Sequence, residues 1–223
     1  MKVYKKVSLS VLSLLAAFSI TSSVSAATSN ATITFTPGAG APEVLDPENP
    51  ENPYEPTDPT DTGTGETGPL TLDYVSSINF GENEIKTTAQ KYQSSTLRPF
   101  IQVTDRRGTG EGWNVTAQMS NFTVDEQVTL PGSLLTLSNG SVISTSKSDA
   151  PVPNNPVELN PGGTEVKIVT ADQNAGLGSW ITRWLAGNTE SNENVTLEVP
   201  AGMATQGNHT AVITWTLTAG PGQ

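Results

Sequence analysis

The chain has no cysteine and only one histidine, His209. The absence of cysteine excludes disulfides, thiolate metal sites and a Cys-His nucleophile, and a single histidine excludes most zinc sites. A Ser-His-Asp triad could use only His209, and the sequence contains no nucleophile elbow to accompany it. We therefore expect a protein that is not an enzyme and that binds no metal or cofactor.

Basic residues are scarce, with 11 Lys and Arg against 22 Asp and Glu and a net charge of −11. Nucleic-acid binding requires clustered Lys and Arg that displace counterions, so we expect no nucleic-acid partner. The same imbalance argues against simple attraction to anionic wall polymers.

The only long apolar run, residues 7–20, lies behind Lys2, Lys5 and Lys6 and ahead of Val24-Ser25-Ala26. This order predicts a signal peptide at residues 1–26, with a retained N-terminal anchor as the alternative. The run is shorter than a membrane span, so no transmembrane segment is expected in the mature chain, residues 27–223. Residues 130–133, LPGS, are not a sortase signal, and attachment to the cell would therefore be non-covalent.

Residues 37–69 differ in composition from the rest of the chain, with eight prolines, eight acidic residues and no Lys or Arg. Such a segment is typical of an extended, solvated chain. Because a short β-like run at residues 31–36 precedes it, we predict a long acidic Pro-rich disordered loop between the first strand and the body of the domain. A linker after a disordered N-terminus is the alternative.

From Leu70 onward the sequence has an all-β rhythm of short apolar runs separated by Gly, Pro and Asn turns. It predicts a β-sandwich. Only SWITRWLAG, residues 179–187, could form a helical turn or two, since Trp180 and Trp184 are four residues apart.

Two stretches alternate apolar and polar side chains especially clearly. Residues 209–218, HTAVITWTLT, place Ala211, Ile213, Trp215 and Leu217 on one face of a strand, and residues 113–119 place Trp113, Val115, Ala117 and Met119 on one face of another. This spacing predicts two half-buried strands.

At these stretches the chain resembles the WxL surface-protein family of Gram-positive bacteria. The distal motif is complete as Trp215-Thr216-Leu217, whereas the proximal one reads Trp113-Asn114-Val115. The secretory start and further segments agree in order: GPLTLDYVSSINFG, VTDRRGTGEGW, GLGSW and LEVPAG. The resemblance therefore covers nearly the whole mature chain.

The resemblance implies non-covalent attachment to peptidoglycan and membership of a surface assembly with other cell-surface proteins. The wall-binding motif candidates that it implies are Trp113 with Val115 and Trp215 with Leu217. The alternation of the strands also allows these tryptophans to be core residues. Trp180 and Trp184 have the better claim to exposure and are secondary ligand-surface candidates, with a hydrophobic plug as the alternative.

Asp105-Arg106-Arg107-Gly108 is the most charged short stretch. Its guanidinium groups could hold a carboxylate or carbonyl of a ligand, which makes Arg106 and Arg107 secondary candidates. A turn in which Asp105 accepts from a nearby arginine explains the same residues.

The sequence thus predicts a secreted protein of the Gram-positive cell wall that binds peptidoglycan through one WxL-like domain, residues 27–223. The main alternative is an adhesin for host matrix protein or plant polysaccharide. In a further reading, edge strands or the run at residues 31–36 insert into a partner. A secreted glycan hydrolase is the third class, and no spacing of carboxylates recommends it.

Overall fold

The computed structural model describes residues 26–56 and 62–221. The predicted signal peptide lies outside the described residues except for Ala26. Two compact units are distinguished, with the division between Phe35 and Thr36. In the first unit, the described residues 26–35 form neither helix nor strand, and the side chains of Ile33 and Phe35 are 76% and 83% exposed.

The second unit is built from strands alone in its described part, so the predicted all-β fold is confirmed. Within residues 26–56 and 62–221, no helix has the length and apolarity required to cross a membrane. The strands are β1 Leu70–Val75, β2 Gln90–Ser94, β3 Phe100–Asp105, β4 Trp113–Met119, β5 Phe122–Val124, β6 Gln127–Thr129, β7 Leu134–Leu137, β8 Ser141–Ile143, β9 Val152–Pro153, β10 Val157–Leu159, β11 Val166–Ala171, β12 Gly178–Arg183, β13 Asn192–Val199 and β14 Ile213–Ala219.

These strands form three antiparallel four-stranded sheets and one hairpin. The orders are β1-β3-β12-β8, β10-β7-β13-β2 and β14-β4-β11-β9, and β5 pairs with β6. Apolar side chains from all three four-stranded sheets meet in one core, among them Val103, Leu137 and Val115. Alternation buries one face of strands such as β7 and β10, as the period of two requires.

The sheet β1-β3-β12-β8 also carries a second, smaller core on its other face. Tyr74, Phe100 and Ile181 are buried there against Val44, Leu45 and Tyr54. The Tyr54 ring meets those of Tyr74 and Phe100 edge-on, with centroids 5.2 and 5.0 Å apart. Residues 43–56, here called the cover segment, supply this second layer.

The cover segment lies within the acidic stretch for which a solvated chain was predicted. Its backbone closes on itself through the bond from Tyr54 N to Val44 O (2.8 Å), and Gln102 holds it to the sheet through Leu45 N and Glu43 O, both at 2.8 Å. The solvated state therefore does not hold for Val44, Leu45 and Tyr54. Residues 57–61 lie outside the described part, and the prediction for them stays open.

The helical turn predicted in SWITRWLAG is wrong. Residues 178–183 form β12, a central strand, and Trp184 follows its end. Trp180 and Ile181 point into different cores, which leaves β12 buried on both faces and removes the alternation that marks a strand.

Asp73 is a buried carboxyl group under the cover segment. Its oxygens accept from Thr71 Oγ1 (2.6 Å), Thr104 Oγ1 (2.6 Å) and Gln102 Nε2 (2.8 Å). Burial raises the pKa of Asp73 above its ordinary value of 3.8, against the opposing effect of these hydrogen bonds and of the charge on Arg106. The ionised form is thus disfavoured in the folded state.

We expect the free energy of unfolding of Asp73→Asn to increase relative to that of the wild type as the pH rises. Because the folded-state pKa is raised, protonated Asp73 contributes stability that is complete below the unfolded pKa and is lost as the pH rises through the folded one. Urea midpoints of the two proteins, compared at about pH 3.5 and about pH 7, measure the change. An equal pH dependence in the wild type and Asp73→Asn would refute the assignment.

Candidate functional site

The two Trp-x-Leu-like motifs lie side by side on neighbouring strands. β14 pairs with β4 antiparallel without a break, so that Trp215 faces Ala117, Leu217 faces Val115 and Ala219 faces Trp113. Directly opposed residues of an antiparallel pair have their side chains on the same face of the sheet. The Val of the proximal motif therefore packs beside the Leu of the distal one, and both motifs point into the core.

Trp113 is completely buried, and the loop that contains Gly176 approaches it closely. Its indole Nε1 donates to Gly176 O at 3.0 Å, which satisfies the one polar atom of the ring. Gly176 has φ +71°, and a Cβ there would lie 2.6 Å from Trp113 Nε1 and 2.5 Å from Ala171 Cβ. The glycine of the GLGSW segment is thus needed for the close approach of its loop to the tryptophan.

Trp215 lies at the margin of the same core. It is half-buried, and its ring centroid is 6.4 Å from that of Trp184 at an interplanar angle of 40°. Leu217 and Ile213 on the same strand are also half-buried. The distal motif is therefore less enclosed than the proximal one.

The expected exposure of Trp180 and Trp184 is wrong, because they are only 6% and 2% exposed. Trp180 Nε1 donates to Leu177 O at 3.1 Å, while Trp184 Nε1 has no hydrogen-bond partner among the described residues. In this conformation both rings belong to the core. Trp215 is the most exposed of the four tryptophans.

Arg107 fixes the loop that leads into Trp113. Its guanidinium donates to both oxygens of Asp105, from Nε at 3.0 Å and from Nη2 at 2.7 Å, and also to Gly112 O at 2.7 Å. The hydrogen bond to Asp105 raises the pKa of Arg107 further. The turn reading, with Asp105 as acceptor, describes this arrangement.

Arg106 points the other way and holds the chain ahead of β1. Its Nη2 donates to Gly40 O at 2.7 Å and to Gly68 O at 2.8 Å. Both arginines thus have intramolecular partners, and the buried Nε of Arg106 has none among the described residues.

The polar side of the motif strands faces away from the core. We call it the threonine face; it consists of the outward side chains of β4 and β14, Asn114, Thr116, Gln118, Thr214, Thr216 and Thr218. Cross-strand pairs order them as Gln118 beside Thr214, Thr116 beside Thr216 and Asn114 beside Thr218. The middle residue of each motif, Asn114 or Thr216, is therefore on the outer side of the sheet, where Thr216 is exposed and Asn114 is buried.

The β14 half of the threonine face is the freer half. The β4 side chains already have partners, since Asn114 Nδ2 donates to Gly220 O (3.1 Å), Gln118 Nε2 donates to Gly163 O (2.9 Å) and Thr116 Oγ1 donates to Glu165. Thr214, Thr216 and Thr218 are exposed, and their hydroxyl groups have no hydrogen-bond partner in the described part. Three hydroxyls in a row are thus available to a ligand.

A depression of 340 Å³ lies where this face meets the loop after β4. It contains no charged side chain and is lined by Gln118, Met119, Ser120, Asn121, Gly162 and Thr214. Amide and hydroxyl groups around a small apolar patch can bind an uncharged polar ligand such as a sugar.

Sequence reasoning concentrated on the apolar members of the two strands and missed the threonine face. The signal was present, since Thr214, Thr216 and Thr218 occupy the alternate positions of the same pattern.

Among the described residues no group of three or more His, Cys, Asp or Glu side chains is placed to hold a metal ion. His209 contacts Thr129 Oγ1 and Thr205 O, both at 2.8 Å, and so ties two loops together.

Comparison with known families gives one match. The family model described as a WxL domain, surface cell wall-binding, matches residues 22–221, which include both motif strands and everything between them. No curated protein and no solved structure matches the chain with significance.

Proposed function

Because the chain belongs to the WxL domain family of surface cell-wall-binding proteins, we propose that it binds peptidoglycan non-covalently at the surface of a Gram-positive bacterium. The observation that carries the proposal is the family match across both motifs, which the structure brings together on one sheet. The proposal includes secretion with loss of residues 1–26 and a place in an assembly with other surface proteins. It assigns no reaction to the chain.

The geometry supports contact with the wall through the threonine face. Trp113 and Val115 are fully buried, so they act on a ligand only by shaping the strand that carries Asn114 and Thr116. The exposed threonines of β14 and the depression beside Gln118 offer uncharged donors and acceptors to the hydroxyl and acetamido groups of a glycan strand.

Charge favours the same side of the molecule. The chain carries a net charge of −11, so most of its surface repels an anionic wall. The side chains that define the face and the depression are uncharged, and the charged groups beside them are Glu165, which accepts from Thr116, and Lys167 of the neighbouring strand.

We expect Gln118→Ala combined with Thr214→Ala to weaken binding to purified peptidoglycan by about tenfold or more. Two lost hydrogen bonds of about 1 kcal/mol each account for a change of that size. Sedimentation of the mature protein with peptidoglycan stripped of teichoic acids, over a range of wall concentrations, gives the apparent affinity.

The matched control is Gln127→Ala with Thr145→Ala, which removes the same two side-chain types at exposed positions outside the face. It should bind as the wild type does, and circular dichroism should show that both variants are folded. Unchanged binding by the first variant would reject the threonine face as the contact surface. Failure of the wild type to bind, with saturable binding to host matrix protein or plant polysaccharide, would favour the adhesin alternative.

A further inference from the structure

Among the three large sheets, the edge strand with the fewest protective features is β14, which β1 of another sheet approaches without pairing. Exposed edges invite pairing with another chain, and proteins usually block them with charges, prolines, bulges, short strands or covering loops. β14 has seven residues, no charged side chain, no proline and an unbroken register with its one neighbour β4.

Every other edge of the three large sheets has such a device. The free side of β1 is covered, since Thr64 N donates to Asp73 O (2.8 Å) and Leu72 N donates to Glu66 Oε2 (3.0 Å). β2 carries Lys91 and a register shift, β9 contains Pro153, and β8 and β10 have three residues each. β14 is thus an exception within its own fold.

The side chains of β14 also leave apolar surface open at this edge. Ile213, Trp215 and Leu217 pack against the core but are only half-buried. A further strand at this edge would complete the cover of that row while pairing with the free backbone groups.

A segment with the matching pattern exists in the same chain. Residues 31–36, ATITFT, have Ile33 and Phe35 on one side and threonines on the other, and both apolar side chains are largely exposed. Residues 31–35 form no strand in the structure. Exposed aromatic and β-branched side chains in alternation are typical of a strand that lacks its sheet.

We propose that residues 31–36 of one copy add as a strand to the free edge of β14 in a second copy. Ile33 and Phe35 continue the inward row of Ile213, Trp215 and Leu217, and the threonines continue the outward row. Because donor and acceptor are different elements, each copy offers one strand and one edge and takes part in two such contacts.

Charge makes this pairing selective. Copies with a net charge of −11 repel one another over most of their surface. Residues 27–42 and residues 199–223 contain no Asp, Glu, Lys or Arg, so the two elements that pair are those at which the repulsion is weakest. The inference does not depend on peptidoglycan binding.

Light scattering coupled to size exclusion tests the association in the mature protein from micromolar to near-millimolar concentration. The wild type is expected to form species larger than a monomer as the concentration rises. Ile33→Asp with Phe35→Asp should weaken this association by more than about tenfold, because it would bury two unpaired charges. Thr28→Asp with Asn30→Asp adds the same charge outside the run and should associate as the wild type does.

A crosslink locates the contact, and the absence of native cysteine makes it specific. A Thr34→Cys chain mixed with a Thr214→Cys, Thr216→Cys or Thr218→Cys chain should give a disulfide-linked heterodimer in at least one pair, since opposed side chains of neighbouring strands are close enough to bridge. Thr34→Cys mixed with Thr145→Cys is the control. A wild type that stays monomeric, an aspartate variant that associates normally, crosslinking no better than the control, or closure of the disulfide within one dilute chain carrying both cysteines would each overturn the proposal.

Discussion

Replacing Trp113 by alanine is expected to lower the free energy of unfolding by about 3–5 kcal/mol. The side chain is fully buried, so its loss leaves a large cavity, and the carbonyl of Gly176 loses the indole donor at 3.0 Å. Urea denaturation followed by circular dichroism gives the free energy without relying on the fluorescence of the missing ring.

Trp113→Phe separates packing from hydrogen bonding. It keeps an aromatic ring in the cavity but cannot donate to Gly176, so it should cost less than Trp113→Ala. A cost below about 1 kcal/mol for Trp113→Ala would contradict the core assignment. A Trp113→Ala protein that stays folded but no longer binds peptidoglycan would agree with the indirect role, in which the buried ring shapes the strand that carries Asn114 and Thr116.

Gly112→Ala is expected to destabilise the protein by about 3 kcal/mol, through overpacking added to an unfavourable backbone conformation. Gly112 has φ +74°, and a Cβ there would lie 2.3 Å from Ala171 O and 2.8 Å from Asp172 O. The backbone at this point cannot move freely, because Gly112 O accepts from both Arg107 Nη2 and Gly220 N. Thermal unfolding measures the loss.

Gly202→Ala is the matched control for this substitution. Its φ of +76° is almost the same, but nothing lies within 4 Å of the added Cβ. Only the backbone cost of about 1–2 kcal/mol should appear there. Equal losses at the two positions would mean that the contact with the end of β11 does not constrain Gly112.

The two motif strands were predictable because each buries one face. Along β4 and β14 the apolar residues recur at every second position, and the structure places strands at both. Their adjacency could not be predicted, since pairing between residues about a hundred positions apart leaves no mark in either stretch. The threonine face forms only when β4 and β14 pair. The sequence therefore shows which residues point outward on each strand, but not that they form one surface.

Strand β12 could not be predicted from the alternation of apolar and polar residues. Trp180, Ile181 and Thr182 are buried in succession because a core lies on each side of the strand. With no exposed face there is no alternation, and the spacing of Trp180 and Trp184 imitates a helix. Apolar and polar residues alternate only where one face of a strand is exposed to water, so alternation does not mark a strand that is buried on both faces.

The prediction of a solvated chain does not hold for the apolar residues of the cover segment, for a related reason. Composition describes residues 37–69 correctly as acidic and rich in proline, but three apolar side chains are enough to seal the outer face of one sheet. Val44, Leu45 and Tyr54 are too few to change the average composition of residues 37–69. Their partners Tyr74 and Phe100 appear in the sequence as ordinary members of strands, with nothing to indicate a second core.

The order of the strands along the chain also has a consequence for biogenesis. β14 closes the sheet begun by β4, yet it is the last of all the described strands to be synthesised. Residues 213–219 must emerge before Trp184 can meet Trp215 and before the edge of β4 is paired. The sheet that carries both motifs is therefore complete only after nearly the whole described chain has been synthesised.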